Sequence, residues 1–395
     1  MLKATDDHRR VRMARRHGLH PEHRYERIGA ATAAMTALHA TEPTTPHLSL
    51  LARVRGLSIG EVEAALYEER SIVKTMAMRR TLFVVTRDLL PAVVGSAGQR
   101  VADLERRRLA REAAGLERQL GHEWIAAACR EVVACLDGQE LSARQLREAL
   151  PHLAGTFTAA PGTKWSAEVP TMSRLLTILT AAGEVVRGRN GGHWRISRPL
   201  WTSMESWLGA ALVPTSADRG YVDVVGRWLW TFGPGTEADM VWWLGSTKTA
   251  VRAALSRLGA VPVELDDGSC AWVLPEDTAD LEAPPQAEPW VALLPTLDPT
   301  TMGWRQRGFY VEPAHTPYLF DSAGNAGTTV WVDGRVVGCW GQEADGRVRI
   351  VLLAQVPRDA RRQLDVEAAR LTEFLDGERI TNVYATQQMK RQRIG

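Results

Sequence analysis

Residues 236–274 read TEADMVWWLGSTKTAVRAALSRLGAVPVELDDGSCAWVL, and the order of signals within them decides the fold. Thr236 precedes an apolar run and has Asp239 three residues on. At that spacing an N-cap side chain and its partner satisfy each other's free backbone N–H groups. A helix over Glu237–Leu244 is expected, then a turn at Gly245-Ser246. Thr247–Leu258 follows, with Val251, Ala254, Leu255 and Leu258 on one helical face. Val261–Leu265 and Cys270–Leu274 flank Asp266-Asp267-Gly268, a hairpin turn between two apolar runs. An aromatic helix, Arg227–Phe232, leads in and is broken by Gly233-Pro234-Gly235. Helix, turn, helix and two-stranded wing is the winged-helix order.

The same order recurs upstream. Ser142 caps Ala143–Leu150, and Val169–Met172 precedes a helix over Ser173–Ala182 that Gly183 ends. Glu184–Arg187 and His193–Ile196 then read as strands around the turn Gly188–Gly192. A more degenerate copy runs from Tyr25 to about Leu90. It has helices Arg27–Leu38 and Leu48–Arg55, Ser58 capping Ile59–Glu68, and the strand pair Ser71–Lys74 and Thr81–Val85. The competing reading is three unrelated helix–hairpin units used only for packing. Residues 101–120 are charged and read as a linker helix, and the acidic, Pro-rich residues 276–289 as an inter-domain linker. Beyond them the texture is β: Trp290–Leu294, Gly308–Val311, Thr328–Val332 and Arg335–Trp340 around Asp333-Gly334, then Arg347–Gln355 and Ile380–Tyr384 flanking a helix at Ala360–Leu375. The expected class is α+β. Winged-helix modules span 1–100, 101–205 (with the linker helix) and 206–285, and a small C-terminal β-barrel spans 286–395.

At 395 residues, with 45% hydrophobic and 24% charged residues, the chain has the composition of a soluble protein of several packing units. No run approaches the roughly 18 apolar residues of a spanning helix, and the polar N-terminus lacks a signal-peptide core. A cytoplasmic, nucleoid-associated protein without membrane contact is expected. Cys129, Cys135, Cys270 and Cys339 lie far apart, which suits buried thiols in a reducing compartment. No metal-ligand pattern stands out among the histidines, and neither metal nor cofactor is expected. The net charge of +2 hides an asymmetry: residues 1–200 carry 30 basic and 21 acidic groups, residues 201–395 carry 18 and 25. A basic half of +9 beside an acidic half of −7 points to a polyanionic partner for the first half.

Five segments together resemble the winged-helix DNA glycosylases of the AlkZ and YcaQ type, a bacterial family with three tandem winged helices and a C-terminal β-barrel. They are Leu38–Arg55 (LHATEPTTPHLSLLARVR), Met78–Val85 (MRRTLFVV), Trp228–Leu244 (WLWTFGPGTEADMVWWL), Leu293–Gly303 (LLPTLDPTTMG), and Gly324-Asn325 with Val332–Gly338 (VDGRVVG). They lie in the family's order over nearly the whole chain. The resemblance implies repair of alkylated, N7-substituted purines in double-stranded DNA by N-glycosidic hydrolysis in a monomer. The family's catalytic element is similar to Q-x-Q or Q-x-D followed by Asp-Pro. Here the matching residues are His39-Ala40-Thr41, then Glu42-Pro43. The family's R-G-T-L-H reads Arg79-Arg80-Thr81-Leu82-Phe83.

Hydrolysis of an N-glycosidic bond passes through an oxocarbenium-like sugar, and an N7-alkylated purine leaves without an acid because it is already cationic. What remains is to hold a water and stabilise positive charge. Residues at i and i+2 of an extended segment point to one side. His39 and Thr41 are thus expected to grip a water, with His39 as general base and Glu42 supplying negative charge. The competing reading makes Thr41 a helix N-cap before Pro43. DNA contacts are expected from Arg53, Arg55, Lys74, Arg79 and Arg80 in the first module and from Arg187, Arg189 and Arg195 around the second wing. The third wing, with Glu264, Asp266 and Asp267, is expected to be structural. A non-catalytic DNA binder or transcriptional regulator is the alternative function.

Overall fold

In a computed structural model that describes residues 2–113, 121–160, 162, 166–382, 384 and 386–391, residues 217–273 follow the expected order. Helix Ala217–Phe232 is followed by Glu237–Leu244 and Lys248–Arg257, then by strands Val261–Leu265 and Cys270–Val273. Thr236 and Asp239 form the reciprocal cap: Thr236 Oγ1 accepts from the Asp239 N–H at 3.1 Å, and Asp239 Oδ2 accepts from the Thr236 N–H at 3.0 Å. The hairpin is widened on both edges. Gly235–Thr236 joins one side, and Leu2–Ala4 pairs parallel on the other, Leu2 opposite Val263. A salt bridge from Lys3 to Glu264 and a bond from the Asp6 N–H to Asp266 Oδ2 at 2.8 Å use the acidic residues of this hairpin, giving it a structural task.

The first unit runs Ile28–Ala34, Leu38–His39, Thr45–Leu51, Ile59–Tyr67, Ile72–Met76 and Leu82–Thr86. Its strands form a three-stranded sheet with Leu82–Thr86 in the middle. The helix expected at Arg27–Leu38 stops early, because Thr36 turns the chain at φ 61° and residues 38–39 join the sheet edge. Helix Thr45–Leu51 is N-capped at Thr44 and not at Thr41, so the capping reading of Thr41 does not hold.

In the second unit, helix His122–Leu136 precedes Ala143–Ala149, capped by Ser142 with Gln145. A hairpin of Thr156–Ala159 with Ala167–Pro170 intervenes before helix Thr171–Ala181 and the pair Val185–Asn190 and Pro199–Ser203. The return strand is thus Pro199–Ser203, and not the expected His193–Ile196. Asn190 is the reason: its side-chain amide donates to the carbonyls of Gly192, His193 and Ile196 and accepts from the Arg198 N–H. That side chain organises residues 191–198 as a compact loop. The linker helix spans Gln99–Ala113; the remainder of the expected 101–120 segment, residues 114–120, lies outside the described residues.

Residues 276–289 are tied down. Asp277 is buried and receives Arg12 at 2.7 Å and Arg16 at 2.6 Å from the N-terminal helix Asp6–Arg16. Beyond it, Val291–Leu294, Thr329–Val332, Arg335–Gln342 and Val348–Leu352 form a four-stranded antiparallel sheet in chain order, and helix Arg358–Leu375 packs on its first and last strands. The expected strand at Gly308–Val311 is reduced to a bridge between Val311 and Val336, and Ile380–Asn382 are not strand. One continuous core joins the first unit, the third unit and this sheet through residues such as Phe83, Trp228, Trp243, Trp304 and Trp331. The second unit has a core of its own around Ile125, Val132, Leu175 and Ile178. Cys129 and Cys339 are buried as expected, whereas Cys270 is exposed.

Candidate active site

The segment carrying the altered triplet is fixed from both ends. His39 pairs with Phe83 in the sheet, and the Ala40 N–H donates to the Leu82 carbonyl at 2.9 Å. Past the turn, Thr45 Oγ1 donates to the Thr296 carbonyl at 2.6 Å and Ser49 Oγ to Asp298 Oδ2 at 2.7 Å. Arg53 closes this anchor. It is fully buried and donates to both Asp298 oxygens, at 2.7 and 2.9 Å, and to Thr300 Oγ1. A guanidinium so committed has no exposed edge for a phosphate, so Arg53 is corrected from DNA contact to structural clamp. Its partner Asp298 lies within LLPTLDPTTMG, a segment that carries the resemblance, but is not among the site residues expected from the sequence.

The His39 ring is 3% exposed and packs against the Phe83 ring at 4.4 Å. Its Nε2 lies 3.3 Å from Arg79 Nη2. A guanidinium only donates, so Nε2 accepts and the ring proton sits on Nδ1, which has no hydrogen-bond partner. Burial, reinforced by the charge of Arg79, holds this imidazole well below the usual histidine range. His39 is therefore neutral, with its one lone pair engaged. That overturns its expected role as a general base titrating near neutrality; it is an N–H donor.

Thr41 is exposed, whereas Glu42 is 1% exposed and its Oε1 accepts from the Tyr384 N–H at 3.2 Å. Residues 39–42 thus combine a neutral imidazole, a surface hydroxyl and a buried carboxyl group tied to the C-terminal region. Arg79 and Arg80 sit in a left-handed turn, at φ 55° and 59°. Packing holds that turn: a Cβ at Gly245 would lie 2.9 Å from the Arg79 nitrogen, and the Arg79 guanidinium lies 4.2 Å from the Trp242 ring centre. Arg307, which the sequence reading missed, lies 5.7 Å from the same ring and 4.2 Å from that of Phe320.

The remaining basic candidates are scattered. Arg55 and Arg189 are exposed and carry surface ion pairs with Glu26 and Glu140, and exposed Arg80 pairs with the buried Glu105. Arg195 pairs with Glu378 at 2.6 Å and bonds the Arg379 carbonyl. Lys74 and Arg187 face one another across the seam between the first and second units. His20, His23 and Glu288 bring three ligand-type atoms within 4.8 Å, a grouping the sequence reading missed. His20 Nδ1 accepts from the Glu22 N–H, which leaves the proton on Nε2 and suits an imidazole–carboxylate contact better than a metal.

No helix among the described residues is long and apolar enough to cross a membrane. The fold is similar to that of the Streptomyces sahachiroi DNA glycosylase AlkZ, with a TM-score of 0.76 and 20% identity over 94% of this chain and 98% of that one. No match is found among curated proteins. Residues 32–374, running from the first unit through the C-terminal sheet, match the family model described as DNA glycosylase AlkZ-like. The chain belongs to the AlkZ-like DNA glycosylase family.

Proposed function

We propose that this DNA glycosylase-family protein hydrolyses the N-glycosidic bond of cationic, N7-alkylated purines in double-stranded DNA, as a monomer in the nucleoid. Its three helix–turn–helix–hairpin units act as winged-helix modules within 1–100, 101–205 and 206–285, and the open four-stranded sheet that begins at Val291, with its helix, serves as the C-terminal domain against the first module in place of a closed barrel. Arg55, Arg79, Arg80, Arg187, Arg189 and Lys74 carry the phosphate contacts.

The observation that supports this reading best is a buried carboxyl group, Glu42, three residues after His39 and adjacent in the chain to exposed Thr41. As the purine departs, positive charge grows on the sugar, and a carboxylate in a low-dielectric setting stabilises it more than water does. Glu42 takes the proton of the attacking water and Thr41 Oγ1 orients that water, while His39 positions Arg79 through Nε2. The deciding test is release of base from an N7-methylguanine oligonucleotide by the wild type and by Glu42→Gln. Release by the first and not the second supports the assignment. Binding without release by the wild type would make the protein a non-catalytic DNA binder or regulator.

A further inference from the structure

The three-stranded sheet has two faces. The register puts His39, Phe83 and Thr75 on one, and Ala40, Leu82 and Lys74 on the other. Residues 187–199 of the second unit close over that other face, leaving a cavity of about 20 Å³. Lys74 and His47 line it from the first unit, and Arg187 and Trp194 from the second; no Asp or Glu is among the lining residues.

The cations are poorly matched by the protein. Lys74 Nζ donates to Tyr67 Oη at 2.6 Å, and Arg187 lies 5.1 Å from the Trp201 ring centre. The buried Nε of Arg187 has no hydrogen-bond partner. The nearest acids act elsewhere or at a distance: Glu140 pairs with Arg189, and Glu63 influences Lys74 only through space. Like charges are costly to bury with open donors unless an anion joins them. Burial, with help from Arg187, pushes the Lys74 amine down to about 8, the sign of that cost.

We infer that this seam is a phosphate site, in which one phosphate oxygen enters between Lys74 Nζ and Arg187 Nε. The cavity exceeds the roughly 10–15 Å³ that one water needs and so accepts one oxygen, the rest of the group remaining at the mouth. Ala40 belongs to the lining, so the ligand sits on the back of the strand that presents His39. A DNA backbone phosphate and free inorganic phosphate share this chemistry; the first source rests on the proposed function, the second does not.

Two measurements on the full-length protein separate the sources. In the first, melting is followed in chloride and in phosphate buffers of equal ionic strength. Saturating phosphate should raise the wild-type melting temperature by about 2 °C or more. Lys74→Met should lose that increment while melting no lower than wild type in chloride, an outcome a merely structural lysine would not give. In the second, affinity for undamaged duplex is followed against salt. Lys74→Met should flatten the log–log slope by about 0.9, the loss of one phosphate contact. Arg187→Met serves as the second variant in both. A melting shift alone assigns the site to free phosphate, a slope change alone to the DNA backbone, and both to either source. Neither effect in either variant overturns the site. Base excision is not a readout, so a protein that releases no base still decides the question.

Discussion

His39 and Phe83 are cross-strand partners, with 4.4 Å between their ring centroids. The family pattern that the sequence resembles implies Gln at the first position and His at the second, so the two departures from it meet across one strand pair. An imidazole is kept on that sheet face and moved to the neighbouring strand.

The exchange predicts coupling between the two positions. His39→Gln and Phe83→His alone should each slow base release. The double variant should be faster than their summed effects imply, by about 0.5–3 kcal/mol of interaction energy in a double-mutant cycle of single-turnover rates. Additive effects would mean that the two positions contribute independently.

Glu42→Gln should lower the single-turnover rate on an N7-methylguanine duplex by roughly 10²–10⁴ and shift DNA affinity little, since the carboxylate acts on the chemical step. Thr41→Ala should cost far less, because a neutral hydrogen bond is worth about 0.5–1.5 kcal/mol. A Glu42→Gln enzyme of normal rate would remove the carboxylate from the mechanism.

Acid should weaken the fold through its buried histidines. Burial holds His17 and His47 down to about 3, and His39 is lowered too. The folded protein keeps these rings neutral, while the unfolded chain binds protons as pH falls through about 6.5. Stability is therefore complete above that pH and is lost on acidification, by up to about 1.4 kcal/mol per pH unit for each ring. Denaturant titrations at pH 7 and 5 should show the decline, and His47→Leu should remove about one proton from its slope. Base release should show no inflection from His39 near pH 6.5.

Arg53→Met should cost about 3–5 kcal/mol of stability by stranding buried Asp298. The salt dependence of DNA binding by the folded fraction should stay that of wild type. A stable Arg53→Met protein with a flatter salt slope would return Arg53 to the DNA.

The sequence was most legible where local chemistry is self-contained. Thr236 with Asp239 and Ser58 before its helix mark starts that the structure keeps, because a cap needs only residues three apart. The missed features depend on distant partners. The charge of Arg53 read as DNA contact because its partner Asp298 lies 245 residues away. The loop after Asn190 read as a strand because Trp194 and Ile196 are apolar, while one amide side chain sets its path. Leu2–Ala4 is too short for a periodic signal. At the candidate site, the local chemistry of His39 turns on Arg79, forty residues on, which takes its lone pair.

The pairing of Leu2–Ala4 with Val263–Leu265 also constrains how the chain is made. During synthesis the first strand emerges with no partner until residue 265 has followed, on the order of tens of seconds later at ordinary translation rates. Helix Asp6–Arg16 waits as well, since Arg12 and Arg16 close on Asp277. The second unit, with a core of its own, is free to fold meanwhile. The N-terminal segment is thus a late fastening, and an early stop before residue 260 leaves its arginines exposed to any nucleic acid near the ribosome.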